Sequence, residues 1–331
     1  MIASTIIAIL ASTSLATRIQ VDGHINTSSQ FQRQAIRITD SERLQASLPQ
    51  MIDGGTNLAV EYLWASREGD PRATIYGTLQ RLLEEEEEND ELQLVLSPES
   101  AERVIDEGQV ALIIGLEGAH GLGINQWRPT LFDLKRRGMA VMSLTWSFSN
   151  QFAGSFGDGG GGLTDEGRTL LRTSRDIGLM IDLSNASHET IMETCSDSPV
   201  PVIASYSNAR SVHDHPRNLT DEEIQCIGAT GGVVGLNLHQ QFLGGEGDMD
   251  QIVQHANHIA ELIGRDHVAF GSGFDGMIVP ATGLESSDKL QDLWRKFRAS
   301  GWLSEEVDGV RGLNYFRAWN EVCEWPNRNL Q

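Results

Sequence analysis

The sequence predicts an α/β protein of the (β/α)₈ TIM-barrel class. Eight short apolar runs recur along the 331 residues, and most are separated by a stretch long enough for a helix. Alternation of strand and helix is typical of α/β folds, and eight repeats is the number found in a closed barrel. An open doubly wound sheet is the weaker alternative. No GxGxxG motif follows the first run, which argues against dinucleotide binding.

The predicted strands are apolar over lengths that suit the interior of a protein. Continuous Val, Ile and Leu runs such as VALIIGL and GGVVGL are typical of parallel strands buried on both faces. The eight runs lie at 19–23, 58–63, 110–116, 139–145, 178–183, 201–205, 232–237 and 267–271.

Helices are predicted where a capping residue precedes a periodic stretch. Ser97, Thr164 and Thr220 occupy N-cap positions, and Glu223, three residues after Thr220, completes the spacing of a capping box. The acidic run at 84–88 is predicted to be an exposed helix face or a loop. The clearest predicted helices lie at 97–108, 164–177, 220–230 and 250–264.

Composition and charge exclude several classes of protein. The chain is 40% apolar and 6% aromatic, without an apolar run long enough to span a bilayer, so we expect no transmembrane span. The net charge of −21 argues against nucleic-acid binding, because phosphate contacts need a basic face. Cys195, Cys226 and Cys323 are too few and too scattered for a disulfide framework or a thiolate zinc site, although one bridge remains open.

The first 16 residues, MIASTIIAILASTSLA, have features of a signal peptide. A short apolar core lies at 6–10, and the small residues Ser14 and Ala16 stand where signal peptidase needs them. The usual positive n-region is missing, so a buried N-terminal segment or a misassigned start is the alternative. We expect a signal peptide at 1–16, a mature chain that begins near Thr17, and a single barrel domain over 17–331. The protein is then exported, to the periplasm or the medium; without a signal peptide it is cytoplasmic.

Polar and aromatic residues follow the predicted strands, at the end of a barrel where catalytic residues are found. Such residues collect at any barrel mouth, so Trp64 or His239 alone indicates little. His24 and Glu117 indicate more, because an imidazole and a carboxylate that face one axis are metal-ligand types. The full set is His24, Asn26, Trp64, Glu117, Trp146, Asn185, Tyr206, His239, Gly273 and Asp275.

Eight stretches of the chain resemble, in order, motifs of the renal (membrane) dipeptidase family, which are zinc peptidases with an amidohydrolase-like barrel. The resemblance covers nearly the whole chain and implies a metal-dependent hydrolase fold, dipeptides as substrates and a homodimer. The stretches are VDGHIN at 21–26, ALIIGLEGAHGL at 111–122, LTWSFSNQFA at 144–153, GLTDEGRTLLR at 162–172, GLMIDLSNAS at 178–187, SYSNARSVHDHPRNLTDEEI at 205–224, GGVVGLN at 231–237 and DHVAFGSGFDG at 266–276.

The resemblance also implies which residues hold the two zinc ions, and this chain departs from the family at most of them. The family's first motif is His-x-Asp, where both residues bind zinc; here His24 is kept and Asn26 replaces the aspartate. Glu117 matches the glutamate that bridges the two ions. Asn185 and Tyr206 replace the two histidines that hold the second zinc.

Other functional positions are partly retained. Gly273 replaces the family aspartate that acts on the scissile bond and the incoming water. Arg217, which in the family helps to hold the substrate, is present, and Trp146 lies where members have either histidine or tryptophan; both are candidate substrate-binding residues. His120 and His188 are weak candidates for replacement ligands, since the family often has a non-ligand histidine at the first position and the second begins a helix.

These replacements weaken both metal binding and catalysis. Two zinc ions bring about four positive charges into one pocket, which the neutral amides of Asn26 and Asn185 and the protonated phenol of Tyr206 compensate poorly. Loss of the carboxylate at Gly273 removes a proton-transfer group, commonly a factor of about 10² to 10⁴ in rate. We therefore expect no zinc or at most one weakly bound zinc. We expect a catalytically impaired or inactive dipeptidase homologue that binds a peptide-like ligand through Arg217 or serves as a partner surface. The alternative is an active metallodipeptidase with one metal or an atypical ligand set.

Overall fold

In the computed structural model, which describes residues 19–33 and 36–328, parallel strands curl into a barrel surrounded by helices. The predicted signal peptide lies outside the described residues. The strands are β1 (Val21–Ile25), β2 (Leu58–Trp64), β3 (Leu92–Leu94), β4 (Val110–Glu117), β5 (Met139–Ser143), β6 (Met180–Asp182), β7 (Val202–Ile203), β8 (Val234–Leu236) and β9 (Val268–Phe270). The helices are α1 (Ser28–Arg33), α2 (Leu48–Gly54), α3 (Pro71–Glu88), α4 (Pro98–Asp106), α5 (Trp127–Arg136), α6 (Asp165–Asp176), α7 (His188–Asp197), α8 (Asp221–Ala229), α9 (Gln240–Leu243), α10 (Met249–Ile263), α11 (Leu290–Ala299), α12 (Ser304–Asp308) and α13 (Asn314–Arg328).

Eight of the strands form a ring. Hydrogen-bonded neighbours follow the order β1-β2-β4-β5-β6-β7, β8 pairs with β9, and all of these pairs are parallel. Isolated bridges join the two sheets: Ala204 with Val234 connects the end of β7 to β8, and Ile25 with Phe274 connects β1 to the segment after β9. Each of the eight predicted runs overlaps one of these strands, and the prediction of a (β/α)₈ TIM barrel is confirmed.

The ninth strand, β3, is a feature that the sequence pattern did not predict. It lies beside the first half of β4, with Leu92 opposite Val110, whereas β5 pairs with the second half of β4 from Ile114 onward. Its three residues alternate apolar and polar, a strand pattern that is too short to predict a strand by itself. Pairing with the longer β4 is what makes this segment extended.

The predicted helix starts agree with the structure. The side chains of Ser97, Thr164 and Thr220 each accept a hydrogen bond from a backbone N–H in the first turn of α4, α6 and α8. Thr220 and Glu223 form a capping box, in which each side chain bonds the other residue's backbone N–H. Because these caps define where α8 begins, they also place the polar loop between β7 and α8. Among the helices of the described residues, none is long and apolar enough to cross a bilayer.

The acidic run at 84–88 forms the end of α3, and it is not wholly exposed as predicted. Glu85 is fully buried. The Arg37 guanidinium donates to its Oε1 at 2.6 Å, and the backbone N–H of Ile38 donates to its Oε2 at 3.2 Å. These partners come from a loop far away in the chain, so the local sequence gave no sign of this burial.

Apolar side chains form one layer between the strands and the helices and a second layer inside the barrel. One end of the barrel is covered, and the other is open. Strand side chains alternate, so Leu112 and Ile114 face the surrounding helices while Ile113 faces the barrel interior. At the start of the strands the interior is covered by α13, where Trp319 and Val322 are fully buried. The open end is therefore the one to which the carboxyl ends of the strands point.

Barrel closure near β8 can be tested with two glycine substitutions. A Cβ at Gly235 would lie 1.9 Å from the backbone oxygen of Ser205, so Gly235→Ala must push β8 away from the chain that follows β7. We expect a loss of about 3 kcal/mol or more in the free energy of unfolding. Gly77, an exposed residue inside α3 with no atom within 4 Å of its Cβ position, is the control. Gly77→Ala should stabilise by about 0.5–1 kcal/mol in the same urea titration. Equal effects of the two changes would contradict this account of closure.

Candidate active site

The barrel brings the predicted metal-ligand positions together at its open end. His24 lies within β1, and Glu117 is the last residue of β4. Asn26 follows β1, while Asn185 and Tyr206 lie three residues beyond β6 and β7. His24 is fully buried, and the other four side chains are nearly so.

The Glu117 carboxylate accepts hydrogen bonds from three of these residues. The Tyr206 hydroxyl donates to Oε1 at 2.5 Å, and Asn185 Nδ2 donates to the same oxygen at 3.3 Å. Asn26 Nδ2 donates to Oε2 at 3.2 Å and also to the backbone oxygen of Tyr62 at 3.3 Å. Because both of these partners are acceptors, the amide of Asn26 is oriented with its nitrogen toward Glu117. Three predicted ligand positions thus present donors, and not lone pairs, to the carboxylate.

His24 keeps one ring nitrogen without a hydrogen-bond partner. Its Nδ1 lies 2.9 Å from Ser205 Oγ, and that hydroxyl donates to Asp182 Oδ2 at 2.7 Å. Ser205 therefore accepts from the imidazole, which places the proton on Nδ1. The Nε2 lone pair is buried and unpaired among the described atoms, 3.7 Å from Glu117 Oε1.

Burial controls the protonation of the site. It raises the pKa of Glu117 to about 7, against the effect of the hydrogen bonds from Tyr206 and Asn26. It lowers the pKa of His24 to about 3, and the rings of Tyr62 and Tyr206 stack on the imidazole with centroids 3.8 and 3.7 Å away. Burial and the neighbouring Glu117 charge raise the pKa of Tyr206 far above its ordinary value. Near neutral pH the cluster holds a neutral imidazole and a neutral phenol beside one half-ionised carboxyl group.

Two cavities border this cluster. The inner cavity has a volume of about 40 Å³, room for water but not for a dipeptide. The outer pocket, between the starts of α7 and α8, measures about 390 Å³, within the range of ligand pockets. Tyr206 borders the inner cavity and Asn185 the outer pocket, and the Asn185 Nδ2 donates to the Tyr206 hydroxyl at 2.9 Å between them. The inner cavity is lined by Asn26, Ser29, Trp64, Glu117, Trp146, Tyr206, Gly276 and Met277.

Arg217 is a buried cation in the wall of the outer pocket. Only 5% of it is exposed, and no carboxylate of the described residues lies within 4 Å of it. Its Nη1 donates to Ser207 Oγ and its Nη2 to the backbone oxygen of Tyr206, both at 2.9 Å. The guanidinium also lies 4.6 Å from the centre of the Tyr206 ring. A buried charge without an ionic partner is costly, and such a site favours an anion.

Trp146 and Gly273 are the other two predicted site residues. Trp146 packs edge-on against Trp64 with ring centroids 5.0 Å apart and borders the inner cavity, so the structure does not bring the two predicted substrate-binding residues into one pocket. Gly273 has φ of 75°, and a Cβ there would lie 3.4 Å from the Tyr206 ring. The position can hold a side chain only in left-handed backbone, which aspartate tolerates better than most residues.

Asp182 is a residue of the site that sequence reasoning missed. It accepts hydrogen bonds from the hydroxyls of Tyr62 at 3.0 Å, Ser143 at 2.6 Å and Ser205 at 2.7 Å. Burial would raise its pKa, but the proximity of His24 and these hydroxyls outweigh burial and lower the pKa. The sequence signal that could have identified Asp182 is the presence of an acidic residue in the otherwise apolar strand β6. Asp182 orients His24 through Ser205. In metal sites a carboxylate commonly orients a histidine ligand in this way.

A family profile described as Membrane dipeptidase (Peptidase family M19) matches residues 11–331. The chain belongs to the membrane dipeptidase family. The predicted recognition is thereby confirmed at the level of the family.

Curated relatives support the same assignment. Dipeptidase verJ of Clonostachys rogersoniana is 30% identical over 240 residues, which are 71% of this chain and 61% of that protein. An uncharacterized protein in the pqqA 5' region of Klebsiella pneumoniae is 32% identical over 246 residues, 70% of this chain and 90% of that protein. Against three dipeptidase relatives the match covers 61%, 54% and 53% of their length.

Solved structures of dipeptidases share the fold. A metallo peptidase from Rhodobacter sphaeroides, liganded with a phosphinate mimic of the dipeptide L-Ala-D-Ala, has a TM-score of 0.84 at 23% identity over 92% of this chain and 99% of that chain. The dipeptidase AC, also a metallo peptidase, has a TM-score of 0.84 at 24% identity over 93% and 99%. At these sequence identities the structural similarity establishes the barrel fold alone.

The family consists of metallopeptidases, but the residues at this site do not fit a two-metal centre. Over the described ranges, no group of three or more His, Cys, Asp and Glu side chains is placed to hold a metal ion. Both oxygens of Glu117 instead accept hydrogen bonds from N–H and O–H groups of Asn26, Asn185 and Tyr206. The two candidate replacement ligands are engaged elsewhere: His120 Nε2 lies 2.9 Å from the Ala65 oxygen, and His188 Nδ1 lies 3.0 Å from Glu223 Oε1.

Glu61 on β2, another buried acid, supports the loop that carries Asn26. Its Oε1 accepts from the Ser28 backbone N–H at 3.0 Å and from the Ser28 hydroxyl at 2.7 Å, while its Oε2 has no partner among the described atoms. Burial raises its pKa from 4.5 to about 8. The carboxyl group is therefore largely protonated in the folded protein at neutral pH.

This raised pKa predicts a stability that falls as pH rises. The folded protein binds the Glu61 proton more tightly than the unfolded chain, so its contribution is complete below pH 4.5 and is lost as pH approaches 8. Glu61→Gln keeps an acceptor for Ser28 and cannot ionise. Relative to the parent, the variant should gain roughly 2–4 kcal/mol in unfolding free energy between pH 4.5 and 8.5. Urea titrations at the two pH values measure this, with exposed Glu68→Gln as control; identical pH profiles of parent and Glu61→Gln would contradict the assignment.

Proposed function

We propose that this protein binds a peptide-like ligand in the outer pocket and does not hydrolyse dipeptides. The observation that carries the proposal is the set of three hydrogen-bond donors directed at Glu117, where a dinuclear centre needs lone pairs. A membrane dipeptidase without its two metals has nothing to activate water or to polarise the peptide carbonyl. The barrel and the arginine of the substrate site are kept.

The polar groups of the outer pocket match a zwitterion. Arg217 supplies an unpaired positive charge for a carboxylate, and Asn218, which lines the same pocket and is almost fully buried, has an Oδ1 without a donor. A carboxylate and an N–H or ammonium group are what the two ends of a dipeptide offer. The structurally similar Rhodobacter sphaeroides enzyme holds a phosphinate mimic of L-Ala-D-Ala, which supports a ligand of this kind here.

The residual acid of the site is shielded from such a ligand. Glu117 borders the inner cavity and does not border the outer pocket, since the Tyr206 phenol and the Asn185 amide lie between. With a pKa of about 7 it is a competent base by pKa alone. A general base must reach the proton that it removes, and this wall prevents that contact. Binding without turnover follows.

One observation favours a second candidate function, an active dipeptidase with a single metal. The lone pair of His24 Nε2 is oriented by Ser205 and Asp182 and lies 3.7 Å from Glu117 Oε1, so the two residues could share one zinc ion. The Tyr206 hydroxyl would first have to leave that oxygen. Such an ion would have two protein ligands, fewer than the three typical of catalytic zinc.

Ligand binding can be tested through Arg217. Parent protein should bind L-Ala-D-Ala in isothermal titration calorimetry, and Arg217→Met should weaken binding about 100-fold, because it removes the charge opposite the ligand carboxylate. Arg67→Met is the matched control, since Arg67 is exposed and lies over the Phe148 ring outside the outer pocket. Equal affinities of parent and Arg217→Met, with both folded by circular dichroism, would refute the proposed binding site.

The loss of catalysis can be tested by restoring the family residues. The parent should show negligible hydrolysis of dipeptides even in excess zinc. The fourfold variant Asn26→Asp, Asn185→His, Tyr206→His and Gly273→Asp should bind two zinc ions and show measurable turnover. Each single change should do little, because ligands of one cluster act as a unit. Brisk dipeptide hydrolysis by the parent would favour the single-metal candidate.

We further propose that the protein is exported, on the basis of the apolar core at 6–10 and the small residues Ser14 and Ala16. N-terminal sequencing of protein recovered from the periplasm or medium of its native host should then begin near Thr17. Recovery with Met1 intact would contradict export by a cleaved signal.

A further inference from the structure

Two of the three cysteines lie on neighbouring helices. Cys195 is on α7 and Cys226 is on α8, and these helices pack against each other from their first turns, where His188 Nδ1 lies 3.0 Å from Glu223 Oε1. Cys195 comes seven residues after His188, and Cys226 comes three after Glu223. Spacings of seven and three keep a side chain on one face of a helix, so both cysteines face the α7–α8 contact.

The two thiols meet at this contact. Cys195 is buried in the apolar core, and Cys226 packs against that same core. Each thiol is close enough to influence the pKa of the other. Cys195 is buried and Cys226 is partly exposed, so one sulfur of the pair is reachable from solvent. A disulfide requires Cβ atoms about 3.5–4.5 Å apart, so two thiols that face each other across packed helices are candidates for one.

We propose that Cys195 and Cys226 form a reversible disulfide that joins α7 to α8 when the protein meets a small-molecule disulfide such as oxidised glutathione. The Cys226 thiolate attacks one glutathione sulfur and displaces the other glutathione as a thiolate. The Cys195 thiolate then attacks the Cys226 sulfur and releases the second glutathione. The two electrons and two thiol protons of the protein end on two reduced glutathione molecules.

The surroundings of the two cysteines slow both the formation and the reduction of the disulfide. Burial raises the pKa of both thiols, so little thiolate is present near neutral pH and the rate of exchange rises with pH. Once formed, the bond is packed beside the apolar core and closes the loop between residues 195 and 226, which restricts the unfolded chain.

The bond also acts on the outer pocket, a consequence that rests on the proposed function. Ser187 and His188 at the start of α7, and Thr220 and Glu223 at the start of α8, line that pocket. A covalent link between the two helices fixes these two walls relative to each other. Ligand affinity should therefore differ between the reduced and the oxidised protein.

The test compares four folded proteins incubated with oxidised glutathione at alkaline pH and then alkylated: the parent, Cys195→Ser, Cys226→Ser and Cys323→Ser. Peptide mapping should find the 195–226 crosslink in the parent and in Cys323→Ser, whose cysteine lies on α13. The crosslink should be absent from the other two variants. Oxidation should raise the Tm of the parent and of Cys323→Ser by about 3–6 °C and leave the other two unchanged.

Two results would overturn the proposal: glutathione adducts at Cys226 without an internal crosslink, or a crosslink that involves Cys323. Titration of reduced and oxidised parent with L-Ala-D-Ala separates this question from the function of the pocket. Absence of binding in both states, with the crosslink present, would refute the proposed function and leave the disulfide established.

Discussion

The buried carboxylate of Glu117 is the constraint on which the mouth of this barrel depends. An ionised carboxylate removed from water costs several kcal/mol unless cations or hydrogen-bond donors compensate it. Membrane dipeptidases are metallopeptidases, in which metal ions can supply this compensation. Here Tyr206, Asn185 and Asn26 supply it with one hydroxyl and two amides. These hydrogen bonds compensate only part of the effect of burial, so the pKa of Glu117 is about 7.

Tyr206 links that constraint to the shape of the ligand pocket. Its hydroxyl bonds Glu117, its ring stacks on His24 at 3.7 Å, and the Arg217 guanidinium lies over the same ring at 4.6 Å. One side chain at a family ligand position therefore satisfies the acid, covers the imidazole and supports the cation. The same residue lines the small inner cavity, and its hydroxyl accepts a hydrogen bond from Asn185, which lines the outer pocket. Tyr206 therefore affects both the hydrogen bonding of Glu117 and the lining of the inner cavity.

Much of this could be predicted from the sequence, because the features concerned are local or repeat along the chain. Apolar runs marked the eight barrel strands, and the caps at Ser97, Thr164 and Thr220 marked helix starts. Residues at the carboxyl ends of parallel strands all lie at the same mouth of the barrel. Glu117 and Tyr206 could therefore be predicted to lie close together. The resemblance to a family then predicted which of the grouped positions carry replaced ligands.

The features that escaped prediction depend on partners distant in sequence. Strand β3 is extended because β4 lies beside it, and Glu85 is buried because Arg37 reaches it. The orientation of the Asn26 amide is decided by the Tyr62 oxygen, and the meeting of Cys195 with Cys226 by helix packing. No periodicity or spacing in the chain encodes these contacts.

The most direct test of the central claim is X-ray diffraction at the zinc absorption edge from crystals grown in excess zinc. We expect no pair of anomalous peaks beside Glu117, with the Tyr206 hydroxyl still bonded to Oε1. At most one weak peak should appear, between His24 Nε2 and the carboxylate. Two fully occupied zinc ions bridged by Glu117, with Tyr206 displaced, would contradict it.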